Sequence, residues 1–262
     1  MTIAVVSWNV NGLRARLPHV LTFLARHEPD VVCLQETKMN EAAVPLLAFA
    51  QLGYRGVADG KGGRAGVAIL TRLPFGEVTR GSADREAKDL TDGRRLRARV
   101  AGVWIESLYV PTRKAAGKLG FLQHLERSYA LPQHGRDSVL LCGDFNLCRD
   151  ERDFASPSLI TDAHLFPRRE EDQALQRLLA LGFTDCFRKH QDASGHYTWF
   201  DYRPWTLSRN YGMRLDYVFA TPRLYAACVE VRHEMEARRW EKPSDHVPIV
   251  ARFGADAWRA LA

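Results

Sequence analysis

The sequence predicts an α/β fold in one domain over residues 1–262, and three observations carry this reading. An apolar run at 3–10, an amphipathic stretch at 13–27 and a second apolar run at 31–36 form a strand–helix–strand unit. Eight further strand-like runs and about three helix-like stretches follow in mixed rather than alternating order. No linker, repeat or low-complexity segment divides the 262 residues, a length that suits one domain with a substantial core.

The first strand, Ile3 to Val10, leads to Asn9 and Asn11 at its end. Leu13, Leu17, Val20, Leu21 and Leu24 recur at helical spacing until Pro29-Asp30 breaks the helix. Val31 to Glu36 is a buried strand ending in a carboxylate. A short helix is expected over 41–51, begun or interrupted at Pro45, and a strand over 54–57. The Gly-rich segment Asp59 to Gly66 has no P-loop ending, so it is read as a turn whose Lys61 and Arg64 are available to phosphates. Val67 to Thr71 is a strand. Residues 81–95 are polar with mixed charge, and Asp92-Gly93 has the chemistry of a hairpin turn. Strands at 96–100 and 103–110 flank Ala101-Gly102; a helix over 114–131 and a strand over 138–142 follow. The stretch 149–168 is irregular, 169–181 is a helix closed by Gly182, and 203–213 is loop-like. Strands are expected at 214–219, 228–231 and 247–253, with Arg238 to Lys242 a solvated loop near Asp245.

Composition bounds the class. Hydrophobic residues are 46% and charged residues 26%, as in soluble globular proteins. No apolar run approaches the length of a membrane span. The N-terminus enters a strand directly, so no signal peptide is expected. The five cysteines are odd in number and form no CxxC, which fits small core residues in a reducing compartment. The net charge of +6 suits a negatively charged partner such as nucleic acid.

The functional signal lies at the strand ends. Cys142-Gly143-Asp144-Phe145-Asn146 closes an apolar run with two polar groups two residues apart, on the same side of a strand tip. Asn9, Asn11, Glu36, Tyr109, Asp216, Asp245 and His246 also border apolar runs. A buried carboxylate is costly unless paired, hydrogen-bonded or bound to metal. Carboxylates brought to one end of a sheet core would repel, and a divalent cation offsets that. The donors are hard oxygens, with no HExxH and no thiolate cluster, which favours Mg²⁺ or Mn²⁺ over zinc. Phosphodiester hydrolysis is the chemistry such a site serves.

These residues also carry a resemblance. Trp8 to Arg14, Leu34 to Lys38, Tyr109-Val110-Pro111, Gly143 to Asn146, Asn210 to Tyr217 and Ser244 to Ile249 are similar to the signature blocks of the exonuclease III family of AP endonucleases. The blocks stand in family order and cover nearly the whole chain. The resemblance implies a four-layered α/β sandwich, two mixed β-sheets packed face to face and flanked by helices. It implies Glu36 as main metal ligand with Asn11 and Asp245 nearby, His246 paired with Asp216, and Asp144 handling the attacking water. Asn9, Tyr109, Asn146 and His246 would surround the scissile phosphate. Trp199, Met213 and Leu215 match the pocket for the baseless sugar, although plain core packing is the other reading of Trp199 and Leu215. Lys38 and Asn210 fall within the blocks as substrate contacts, and Arg113 and Arg203 stand where relatives push residues into the duplex. Thr112 replaces the usual Asn or Gln, which weakens one phosphate contact, and the 112–118 loop is short. Asn11 stands where some relatives have aspartate.

The expected function is therefore a Mg²⁺-dependent DNA repair nuclease. It would cut 5′ to abasic sites in double-stranded DNA and remove 3′ blocking groups or nucleotides. It would be a monomer in the bacterial-type cytoplasm, working on the nucleoid without membrane contact. The general base is either Asp144 or the His246–Asp216 pair. A phosphoesterase for a phosphoinositide or other small phosphoester is the alternative on the same scaffold, and a non-catalytic DNA-binding protein a third reading. Lys38, the Trp199 pocket and the basic loops favour DNA.

Overall fold

The computed structural model describes residues 1–82, 85–112, 117–131, 138–159 and 168–259. Two six-stranded mixed sheets pack face to face with helices outside. The first contains β11 (Cys228–His233), β12 (Ile249–Gly254), β1 (Thr2–Asn9), β2 (Val31–Gln35), β4 (Val67–Thr71) and β3 (Arg55–Asp59), in that spatial order. The second runs β5 (Phe75–Arg80), β6 (Arg95–Val100), β7 (Val103–Tyr109), β8 (Val139–Asp144), β10 (Asp216–Ala220) and β9 (Thr184–Asp185).

Alternation along the strands builds the layers. Val5, Val31, Cys33, Leu140 and Cys142 face the core between the sheets. Val6, Trp8, Val32 and Leu34 face the other way, onto α1 (Leu13–His27), through its Leu13, Val20, Phe23 and Leu24. Val139, Leu141 and Phe219 face α4 (Lys118–Tyr129) and α5 (Arg169–Ala180). Because both faces of the central strands are covered, their sequences are nearly continuous apolar runs, which is why they were legible.

Both sheets follow one plan. Each has a parallel pair at its centre, β1–β2 and β7–β8, and antiparallel strands outside it. The tips of the two parallel pairs lie at the same end. Asn9 is in register with Gln35, Tyr109 with Asp144, and Asp144 with the first residue of β10, Asp216. Hydrogen bonds cross between the sheets near these tips, from Gln35 Nε2 to Ser107 Oγ (3.1 Å) and from Ser107 Oγ to the carbonyl of Leu34 (3.0 Å). Within the second sheet, Gly143 permits the close approach of β8 to β7, since a Cβ there would sit 2.0 Å from the Leu108 carbonyl oxygen. Any side chain would push β7 and β8 apart where Tyr109 and Asp144 are held.

Several expectations need correction. The chain forms twelve strands among the described residues; β5 and β9 were not read from sequence. Residues 85–91 form the helix α3, so Asp92-Gly93 joins a helix to β6 and makes no hairpin. The loop-like 203–213 contains the helix α6 (Pro204–Ser208), and α7 (Pro222–Ala227) and α8 (Ala255–Arg259) also went unread. Arg238 is not solvated. It is buried, stacks over Tyr202 and donates to the carbonyls of Phe200 and Asp201. The Gly-rich loop after β3 docks on the backbone behind Glu36, with Gly66 and Ala65 carbonyls accepting from Thr37 and Lys38. Lys61 pairs with Asp92 at the surface.

Candidate active site

Glu36, Asp144 and His246 present ligand-type atoms that all lie within 4.8 Å of one another. Glu36 comes from the turn after β2, Asp144 from the tip of β8, and His246 from the segment leading into β12. Asn9 Nδ2 bridges the carboxylates, donating to Glu36 Oε1 and Asp144 Oδ2 (both 2.9 Å). Asn146 donates its backbone N–H to Asp144 Oδ1 (2.8 Å) and its amide to Asp144 Oδ2 (3.1 Å) and the Val110 carbonyl (2.9 Å). Among the described residues, five of the eight non-glycine positions with left-handed backbone are expected site residues: Asn11, Glu36, Lys38, Asn146 and Asn210. For Glu36 and Lys38 this conformation costs about 1 kcal/mol or more each, and it turns their side chains together at the strand tips.

Beside this core, Lys38 Nζ lies 3.0 Å from Glu36 Oε2 and donates to Asn11 Oδ1. Asn11 Nδ2 in turn donates to Asp245 Oδ1 (2.9 Å), and Asp245 Oδ2 accepts from Trp199 Nε1 (3.0 Å). Asn11 and Asp245 are thus one hydrogen-bonded step from Glu36, linked through Lys38.

His246 Nδ1 meets Asp216 Oδ2 at 2.8 Å, and its Nε2 lies 3.8 Å from Asp144 Oδ2. The other oxygen of Asp216 is buried with no hydrogen-bond donor among the described residues, so His246 is the main partner of that charge. Burial works against the imidazolium, but Asp216 and Asp144 outweigh it and hold the His246 pKa up at about 10. Asp144 is pushed up to about 7, first by burial and then by Asp216 and Glu36, against the pull of His246. Burial, Glu36 and Asp144 raise Tyr109 well above the ordinary phenol range, so it keeps its proton. The arrangement offers a carboxylate poised near neutrality, a cationic imidazolium and a phenol donor facing one point.

Met213 and Leu215 are fully buried in a small cluster with Cys148 and Leu159, and Trp199 packs against it from a less buried position. Asn210 and Arg203 are exposed; Asn210 Nδ2 donates to the Gly195 carbonyl (2.8 Å), and Arg203 pairs with Asp201 (3.1 Å). Arg113 and most of the 112–118 loop lie outside the described residues.

Sequence reasoning missed the groups that hold this constellation. Lys118 is buried with its ammonium on the Asn146 carbonyl (2.5 Å), which steadies the Asp144–Asn146 turn. Arg94 stacks over the Tyr109 ring at 4.7 Å. Ser244 Oγ donates to the Asn9 carbonyl (2.7 Å) and accepts from the His246 N–H (3.2 Å), joining β1 to the histidine. Thr198 Oγ1 accepts from the N–H groups of Leu215 and Asp216 (3.0 and 3.1 Å). Lys118, Arg94 and Thr198 have no local sequence signal, because their contacts join distant parts of the chain, whereas Ser244 stands within a signature block.

Residues 6–246 match the model of the endonuclease/exonuclease/phosphatase family. Exodeoxyribonuclease III of Haemophilus influenzae is 31% identical over 265 residues, covering 95% of this chain and 98% of the relative. A solved AP endonuclease from Archaeoglobus fulgidus is 34% identical with a TM-score of 0.87, covering 96% and 99%. The 3′ phosphatase NExo from Neisseria, solved bound to a product DNA hairpin, is 30% identical with a TM-score of 0.85, covering 96% and 99%.

Proposed function

The chain belongs to the endonuclease/exonuclease/phosphatase family, among the exonuclease III-type DNA repair nucleases, and from that premise we propose that it hydrolyses the phosphodiester 5′ to an abasic nucleotide in duplex DNA. We read residues 1–262 as one catalytic domain acting as a monomer on the bacterial chromosome, with 3′-end trimming as a second activity of the same site. The observation that carries the reading is the meeting of Glu36, Asp144 and His246 at the shared tip of both sheets.

The donor set fits a hard divalent cation, Mg²⁺ or Mn²⁺. Glu36 and Asp144 are close enough to share one, with Asn11 and Asp245 alongside, and Asp216 and Glu36 add to burial in raising the proton affinity of Asp144. When bound, such an ion supplies charge neutralisation at the phosphoryl and leaving oxygens. Asp144 is the general base in this reading. It takes a proton from water, the oxygen joins phosphorus, and the bond from phosphorus to the preceding 3′ oxygen breaks; that oxygen then takes a proton from solvent to become a 3′-hydroxyl, and the phosphate stays on the abasic nucleotide. His246, kept cationic by Asp216, faces the phosphate as a donor rather than as a base. Tyr109 donates a second hydrogen bond, and Asn9 and Asn146 hold the Asp144 carboxylate in line. Trp199 forms the accessible wall of the pocket for the baseless sugar, and Lys38, Asn210, Arg113 and Arg203 meet the flanking strands.

A duplex with one synthetic abasic site tests this, beside an undamaged duplex with a recessed 3′ end. Nicking in Mg²⁺ and none in EDTA is expected. An uncut abasic duplex together with phosphate release from a phosphoinositide would reverse the choice of substrate.

Metal binding is also expected to show in stability. Asp144 has a folded pKa above its ordinary value, so its contribution to stability is fully present below about 4 and is lost as pH rises through about 7. Above that pH the ionised carboxylates repel, and a cation binds without displacing a proton. Mg²⁺ should therefore raise the melting temperature more at pH 8 than at pH 5.5. Equal gains at both pH values in differential scanning fluorimetry would count against metal binding at this carboxylate.

A further inference from the structure

Seven large hydrophobic side chains are exposed among the described residues, and the two aromatic ones, Tyr202 (51% exposed) and Trp205 (36%), share one segment. That segment is a loop closed at its neck by paired backbone hydrogen bonds between Trp199 and Met213 (2.8 and 2.9 Å). It therefore leaves and rejoins the protein at the apolar cluster beside the active site. Arginines interleave its aromatics. The guanidinium carbons of Arg203 and Arg209 lie 5.1 and 5.6 Å from the Trp205 ring, and that of Arg238 lies 5.0 Å from Tyr202. The loop is anchored to the site as well. The Tyr202 hydroxyl accepts from Asn11 Nδ2 (3.1 Å) and Arg16 Nη2 (3.2 Å), and Tyr211, packed on the Met213 cluster, backs the indole at 5.1 Å.

An exposed indole flanked by arginines, in a chain of net charge +6, suits a partner with flat π faces and negative charge. Bases inside a duplex already have both faces covered by their neighbours. Only an unstacked base offers a face to an indole or a guanidinium plane, while the arginines meet its phosphates. We propose that Trp205, with Arg203 and Arg209, is a platform for an unpaired nucleobase flanking the scissile phosphate. Through it the site favours frayed or single-stranded stretches. This rests on the DNA nuclease reading above.

The test is fluorescence anisotropy in EDTA, so that no strand is cut, with wild-type protein, Trp205→Ala and Trp205→Phe. The probes are a fully paired abasic duplex, a recessed-3′ duplex whose last two pairs are mismatched, and a single strand. Trp205→Ala is expected to weaken binding to the frayed duplex and the single strand by about 5- to 150-fold, the range for losing one stacked base, and to the paired duplex by much less. Trp205→Phe should recover most of the loss. An equal loss on all three probes, a loss that Phe does not recover, or no loss would overturn the platform. Failure of the wild-type protein to bind any probe would instead overturn the nuclease reading.

Discussion

Asp144→Asn is expected to lower turnover on an abasic duplex by about 10³-fold or more while the protein melts at the same temperature or higher. The substitution keeps shape and removes the carboxylate proposed as proton acceptor. It also removes one of three crowded carboxylates, since Asp144 lies among Glu36, Asp216 and His246. Burial, Asp216 and Glu36 already push Asp144 up to about 7 against the pull of His246, so a neutral side chain costs the fold little there. The result separates the two candidates for the base. His246 is held as imidazolium by Asp216 at 2.8 Å, and a cation with its pKa near 10 does not accept a proton at neutral pH. If the histidine pair were nevertheless the base, Asp144→Asn would lose only the contribution of one fixed charge. A drop of less than about tenfold in single-turnover assays would move the role to His246.

The parts of this site that were legible are those where local pattern and tertiary position coincide. Val139 to Cys142 and Val31 to Leu34 are central strands covered on both faces, so the polar residues at their ends stood out. Periodicity placed α1 at 13–27, where the helix lies. What was not legible has weak or distant determinants. Strand β5 is an edge strand with no fully buried residue, so it lacks the apolar alternation a strand is read from. Helix α6 has five residues, too few for a helical period to show. Two-residue β9 exists only because β10 pairs with it. The left-handed turn at Glu36 gave no glycine or asparagine as a signal, and hydrogen bonds from its neighbours to Gly66 and Ala65 enforce it. The resemblance to known nucleases supplied what periodicity lacked, namely the stacking of two sheets.

The largest loss of stability is expected from Asp153, nine residues after Asp144. It is fully buried and receives Arg214 Nε and Nη2 (2.7 and 3.1 Å), the Tyr217 hydroxyl (3.0 Å), the Arg149 N–H (3.1 Å) and the Arg188 guanidinium. Arg214 is itself buried and also donates to Asp185 (2.8 Å). Asp153→Ala would leave one anion, Asp185, to balance Arg214 and Arg149, and Arg188 without this partner. Breaking such a pair from one side costs about 3–5 kcal/mol, or about 6–20 °C in melting temperature for a chain of this size. Arg152→Ala is the contrast. Its pair with Asp150 is about 40% exposed on both sides, and its loss should cost under about 1 kcal/mol. Burial raises the proton affinity of Asp153, but Arg214 and Arg188 outweigh it and hold the carboxyl below the usual aspartate range. Its stabilisation is therefore present above the ordinary aspartate pKa and is lost as pH falls through the lower folded value. The consequence reaches the active site, because the Arg214 side chain that Asp153 holds belongs to the residue two before Asp216. Loss of the network would loosen the strand start that presents Asp216 to His246, so residual activity should fall as well. A melting temperature for Asp153→Ala within about 2 °C of wild type would show that the buried arginines find other partners.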